Sequence, residues 1–170
     1  MISYDRVMHA VLATTTHVHR GLHRVSGGRL GRRFPGGATV VWLTVPGRRS
    51  GDPRTTPLLS TRDDRTDAWI VAGSNAGQTT TPAWVLNARA APTGHVEMAG
   101  EVVPVRVEEV TDADERARCY AQLVGVWRWF AGYATRLSQT REIPVFRLHR
   151  LVEPGPDDTS EGFGGSSRPG

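Results

Sequence analysis

The sequence has one cysteine, Cys119, no lysine, and no apolar stretch of membrane-spanning length. A lone cysteine cannot pair within the chain, and no zinc-type His/Cys spacing accompanies it, which excludes a disulfide scaffold and fits a reducing compartment. With no run of about 18 apolar residues, a spanning helix is excluded as well. The opening residues, MISYDRVMHA, hold neither an apolar core region nor a small-residue cleavage site. The expectation is therefore a soluble, cytoplasmic chain. No internal repeat is visible.

What is present suits one ordinary domain: 170 residues can bury a real core unaided. All 21 basic side chains are arginine, set against 17 acidic ones, for a net charge of +4. An excess of that size favours anionic ligands, lipid headgroups or nucleic acid, and only its position along the chain can narrow the choice. The last segment, EPGPDDTSEGFGGSSRPG, cannot bury enough apolar surface to offset its ordering entropy. The expected organisation is an amphipathic helix and basic connection over residues 1–33, a folded domain over 34–152 and a disordered tail over 153–170.

Tyr4, Val7, Val11, Val18, Leu22 and Val25 fall on one helical face, and the glycines of SGGRLG stop that helix. The run ATVVWLTV is short, β-branched and apolar, as expected of a strand covered on both faces. Further strands are expected over residues 54–61, 67–73, 95–99, 102–110 and 143–150, with hairpin turns at Asp63 and Asp64 and at Gly100 and Glu101. Two helices interrupt the series. Thr81 is expected to cap one that begins at Pro82, and Thr111 a second in which Ala113, Ala117, Tyr120, Val124 and Trp127 share a buried face. About six strands with mostly hairpin connections, plus helices at the start and between them, indicate α+β closed as a small antiparallel barrel.

The turn GRRSGDPR, residues 47–54, brings together two glycines, three arginines and a hydroxyl. Glycines admit close backbone approach, and guanidinium forks bind phosphate oxygens bidentately. A solvated hairpin with scattered charge explains the same composition, so the turn alone leaves both readings open. The segment GSNAG, residues 73–77, could bring backbone amides to a flat ring, but it is no GxGxxG fingerprint, and taken by itself a plain loop is the better explanation. Trp127, Trp129, Phe130 and Tyr133 crowd the end of the last helix and could either fill core or wall an apolar pocket. His19 and His23 sit four apart without a third ligand, so no metal site is expected. Asp112, Asp114 and Glu115 suit the dipole of a first helical turn better than acid–base work. There is no serine nucleophile elbow and no nucleic-acid reader motif.

Taken together, LTVPGRRSGDPRTTPLL, VAGSNAGQTTTPAWVLNARAAP and TREIPVFRL resemble, in order and spacing, the deazaflavin-dependent nitroreductase family, whose members use coenzyme F420 and include quinone reductases. The resemblance runs from Leu22 to Leu148. It implies a split β-barrel like that of flavin-binding pyridoxamine-oxidase-type proteins, with the cofactor along the loops between strands. On this resemblance Arg48, Arg49 and Ser50 match the segment that meets the cofactor's phosphate, with Arg54 nearby. Ser74, Asn75, Ala76 and Gly77 match the loop beside the deazaflavin ring, and Pro82, Ala83 and Trp84 the helix start that follows. Trp127, Phe130 and Tyr133 fall where the family has its substrate wall. Pro46 departs from the family's usual threonine and removes a backbone donor. Ser60 and Val85 stand where tyrosines are frequent.

The function implied is hydride transfer from reduced F420 to a small organic acceptor, such as a quinone, nitroaromatic or activated alkene. The cofactor carries the chemistry, so no ionisable catalytic residue is required. FMN on the same barrel is the alternative cofactor, and a non-catalytic flavin or deazaflavin carrier is the rival from another class. The expected partner is the small-molecule acceptor, with homodimerisation open. The basic helix and RLGRR connection raise a peripheral membrane contact, although a helix that simply covers the barrel is the preferred explanation.

Overall fold

The structure, a computed structural model, describes residues 38–151. Six strands form a closed antiparallel barrel in the order β1-β2-β3-β6-β5-β4: β1 (Thr39–Pro46), β2 (Pro53–Arg62), β3 (Ala68–Ala72), β4 (Thr93–Met98), β5 (Glu101–Glu109) and β6 (Val145–Arg150). Closure comes from β4 pairing with β1, where Leu43 faces Val96. Three α-helices accompany the barrel: α1 (Ala83–Ala90), α2 (Ala113–Val126) and α3 (Trp129–Leu137). The expected N-terminal helix with His19 and His23, the basic connection and the tail lie outside the described residues.

Period-two alternation fills the barrel. Val41, Leu43 and Val45 of β1, Trp69 and Val71 of β3, Val96 of β4, and Val103, Val105 and Val107 of β5 join Phe146 and Leu148 in one core. Helix α1 contributes Trp84, Val85 and Ala88 to it, the Trp84 and Phe146 rings lying 5.1 Å apart. The alternate residues of β3, Ile70 and Ala72, face outward into a second cluster with Cys119, Leu123, Phe130 and Val145. Strand β3 is consequently buried on both faces, and α2 and α3 are held against its outer side. Ser60 and Val85, both fully buried, belong to this packed framework, and the Ser60 hydroxyl donates to the Thr39 carbonyl at 3.0 Å.

Several local expectations shift. The β4–β5 turn is centred on Ala99 and Gly100, at φ 60° and 85°, because a two-residue hairpin that matches strand twist needs both central residues left-handed. Thr81 does not cap α1: Pro82 takes the cap position with extended backbone at ψ 144°, and its carbonyl accepts from Val85 N at 3.1 Å. Asp112, not Thr111, caps α2, accepting from Glu115 N at 2.9 Å, where a carboxylate also answers the helix dipole. The buried face of α2 centres on Cys119 and Leu123, with Tyr120, Val124 and Trp127 at its flank and Ala113 and Ala117 exposed.

That rotation has an ionic cause. Asp63, after β2, has a side chain with no exposure and receives both Arg147 at 2.7 Å and Arg118 at 2.9 Å. Glu115 binds Arg118 at 3.0 Å and also meets Arg65 and Arg147. The cluster draws Glu115 and Arg118 to the barrel, so Cys119 and Leu123 face inward. The aromatic segment also forms its own helix: Trp127, at φ −148°, breaks the path between α2 and α3.

Candidate functional site

Two cavities adjoin along β2. The first, of about 620 Å³, is lined by Arg48, Arg49, Ser50 and Arg54 from the β1–β2 turn and its exit, by Thr55 and Thr56, and by Ala83, Trp84 and Asn87 of α1. The second, of about 340 Å³, is lined by Ser74, Asn75 and Ala76, by Pro82 and Trp84, by Trp127, Phe130 and Tyr133, and by β2 residues from Thr55 to Leu59. Thr55, Thr56 and Trp84 line both, so the two form one groove with a basic end and an aromatic end. No carboxylate and no imidazole is among these lining residues.

The basic end starts where strand pairing stops. Pro46 and Pro53 face each other as the last β1–β2 pair, and beyond them Gly47 N donates to Asp52 O at 2.8 Å and Gly51 N to Gly47 O at 2.7 Å. Arg54 leans on Asp52 at 3.3 Å, and Ser50 Oγ accepts from Asp52 N at 3.3 Å. Among the described residues Arg48 and Arg49 have no carboxylate partner. Arg48 is held instead by Asn87 Oδ1, which accepts its guanidinium at 3.1 Å and its backbone N–H at 3.3 Å. Among the described residues the cavity thus holds two positive charges without a carboxylate partner, beside the first residues of α1, whose helix dipole has the same sign.

The aromatic end is built around a strained loop. Asn75, Ala76 and Gly77 take successive left-handed conformations at φ 49°, 50° and 77°. Non-glycine residues pay for that backbone, so the surroundings must impose it. Arg141, in the segment between α3 and β6, does so: its guanidinium donates to the carbonyls of Gly73, Ser74 and Gln78, each at 3.0 Å. Asn75 Nδ2 adds a bond to Thr80 O at 3.1 Å. Gly77 itself does not line the cavity. It sits beneath α3, where a Cβ would come 3.1 Å from the Tyr133 ring, and so lets Tyr133 reach the cavity wall.

That wall is an edge-to-face series: Tyr120 to Phe130 and Phe130 to Tyr133, each 5.8 Å between centroids. The Tyr120 hydroxyl donates to Phe130 O at 2.7 Å, and burial pushes its pKa up, which keeps the donor protonated. Phe130 serves both readings of the aromatic cluster, as buried core and as lining. Trp129 points away, largely exposed. Of the expected site residues, all but Gly77 line the groove. Sequence reasoning missed Asn87, Arg141 and Tyr120. An asparagine inside a short helix was the one available signal, since that residue is a poor helix former.

A closed six-stranded barrel, with a groove that is cationic at one end and aromatic at the other, defines a split-barrel protein of the class that binds flavin-like redox cofactors. The chain belongs to the F420H(2)-dependent quinone reductase family, which residues 15–150 match. It is an oxidoreductase, and its cofactor is coenzyme F420. An F420H(2)-dependent quinone reductase of Mycobacterium tuberculosis is 30% identical over 135 residues, covering 78% of this chain and 88% of the relative. Among solved structures, an F420-H2 dependent reductase is similar at 28% identity and TM-score 0.58, over 65% of this chain and 93% of that one. Another, described as a domain-swapped dimer, is 25% identical at TM-score 0.60, over 78% and 96% of the two chains. These likenesses favour F420 over FMN and an enzyme over a carrier.

Proposed function

We propose that the basic end of the groove receives the anionic end of coenzyme F420, that the deazaflavin ring lies at the aromatic end, and that the acceptor is a quinone stacked beside it. When bound, the reduced cofactor supplies the hydride. Arg48 and Arg49 bind phosphate oxygens by charged hydrogen bonds, with Ser50 and Arg54 completing that end. The loop formed by Ser74, Asn75, Ala76 and Gly77, with Pro82, Ala83 and Trp84, fixes the ring's height in the groove. Trp127, Phe130 and Tyr133 cover the acceptor and exclude water. Reduction of a quinone to a hydroquinone takes one hydride and one proton. Among the described residues no carboxylate or imidazole lines the groove to supply that proton.

The observation that carries this reading is that the two cavities adjoin at Thr55, Thr56 and Trp84, which sets an anion-binding end beside a ring-binding end within reach of one extended ligand. Equilibrium titration of the full chain with F420 tests it. Replacing Arg48 and Arg49 together by Ala is expected to weaken binding by about 3 kcal/mol, on the scale of charged hydrogen bonds. Unchanged affinity would refute the assignment. Turnover of a quinone panel with reduced F420 then tests the acceptor class, and a rate confined to nitroaromatics would overturn it. We also propose that the working form is a homodimer, supported by the relative described as a domain-swapped dimer. Sedimentation as a monomer at micromolar concentration would remove that.

A further inference from the structure

Most arginines in the described residues are tied to carboxylates. Arg89, one helical face round from Asn87 on α1, forms a two-pronged pair with Glu109 at 2.7 and 2.6 Å. Arg48 is different. Its guanidinium and its backbone N–H both converge on a single neutral acceptor, Asn87 Oδ1, and both residues line the basic cavity. Asn87 is only 5% exposed and sits inside an eight-residue helix, where asparagine is intrinsically unfavourable. A neutral acceptor orients a guanidinium and leaves its full charge available, whereas a carboxylate in the same place would orient it and cancel the field that an incoming anion meets.

We propose that Asn87 is a positioning residue that aims Arg48 at the cofactor's anionic end while preserving its charge. The inference rests on the assignment of Arg48 to that end. It assigns Asn87 a role in cofactor affinity, which a simple tie between a hairpin and a helix would not have.

The test is a double-mutant cycle on the full chain, reading F420 affinity at two salt concentrations for Asn87→Asp, Asn87→Ala, Arg48→Ala and the combinations with Arg48→Ala. Asn87→Asp has nearly the same shape and keeps an acceptor for both bonds. It is expected to weaken binding about tenfold, the scale of one charged hydrogen bond, and to reduce the salt dependence as far as Arg48→Ala does. Asn87→Ala is expected to cost a similar factor through loss of aim. In the Arg48→Ala background both effects should fall below about twofold, because nothing is left to aim. If Arg48→Ala leaves affinity unchanged, the placement of the cofactor's anionic end fails and takes this inference with it. If Arg48→Ala weakens binding but the Asn87 variants do not, or weaken it equally with Arg48 absent, the role of Asn87 alone is overturned. Should Asn87→Asp not fold, Asn87→Ala in both backgrounds completes the same cycle.

Discussion

Arg141→Ala should loosen the left-handed loop from Asn75 to Gly77 without unfolding the protein. The guanidinium makes bonds of 3.0 Å to the carbonyls of Gly73, Ser74 and Gln78, and further ones to Gln78 and Glu142 at 3.3 and 3.2 Å. Charged hydrogen bonds contribute about 1.5–3 kcal/mol each, but they share one side chain, and Arg141 borders an open groove between α2 and α3 from which water can replace part of the loss. The expected net cost is about 3 kcal/mol, against a total stability of about 5–15 kcal/mol for a domain. Chain folding survives, while the left-handed run from Asn75 to Gly77 loses the restraint that imposes it. Urea denaturation would give the global cost. Hydrogen exchange at Gly77 and Gln78, whose amides bond to Ser74 O and Asn75 O, would locate it. Arg141→Lys should recover little, because an ammonium lacks the planar fork that reaches three carbonyls at once. A stability change below about 0.5 kcal/mol in Arg141→Ala, with loop protection intact, would refute the reasoning.

The remaining expectations concern the framework. Burial alone would raise the Asp63 carboxyl, but hydrogen bonds from Arg147, the Arg65 backbone and Arg118 outweigh it and hold it well below the usual carboxylate range. Bonds from Arg118 and Arg147 likewise bring Glu115 down to about 2. Folded pKa values lower than unfolded ones mean stability that is present above about pH 5 and lost as pH falls through 4.5 toward 2, so an acid titration of the melting temperature should decline across that window. Asp63→Asn, which leaves two inward arginines short of a partner, should cost about 3 kcal/mol and flatten that decline; an unchanged acid limb would contradict the role given to the cluster. Ala99 holds φ 60° in the β4–β5 turn, so Ala99→Asn beside Gly100 should raise stability by about 0.5–1 kcal/mol in chemical denaturation, and a loss would show that the turn does not carry that strain.

Local chemistry made much of this protein legible in one dimension. The β-branched runs around Val41 and Val105 demanded strands, Pro46 and Gly47 demanded that the first strand stop, and arginines crowded at positions 48, 49 and 54 offered an anion-binding turn that a solvated hairpin explained as well. These are short-range effects of side-chain shape, fixed φ and charge, and they survive without knowledge of neighbours. Three left-handed residues at 75–77, two of them not glycine, carried no such signal, because their conformation is imposed by Arg141 from more than 60 residues away. The rotation of α2 escaped for the same reason: Asp63 and Arg147 decide which face turns inward, overriding the apolar spacing of Ala113 and Ala117.

By itself, then, the order of residues determined the strand material and which segments carry the arginines and the aromatic rings at the two ends of the groove. Only tertiary structure decided that those ends meet along β2 at Thr55, Thr56 and Trp84, and that a neutral amide on α1 is what holds Arg48. The physical reason is range. Propensity and charge act within a few residues, whereas closing a barrel brings together groups whose separation along the chain says nothing of their distance in space.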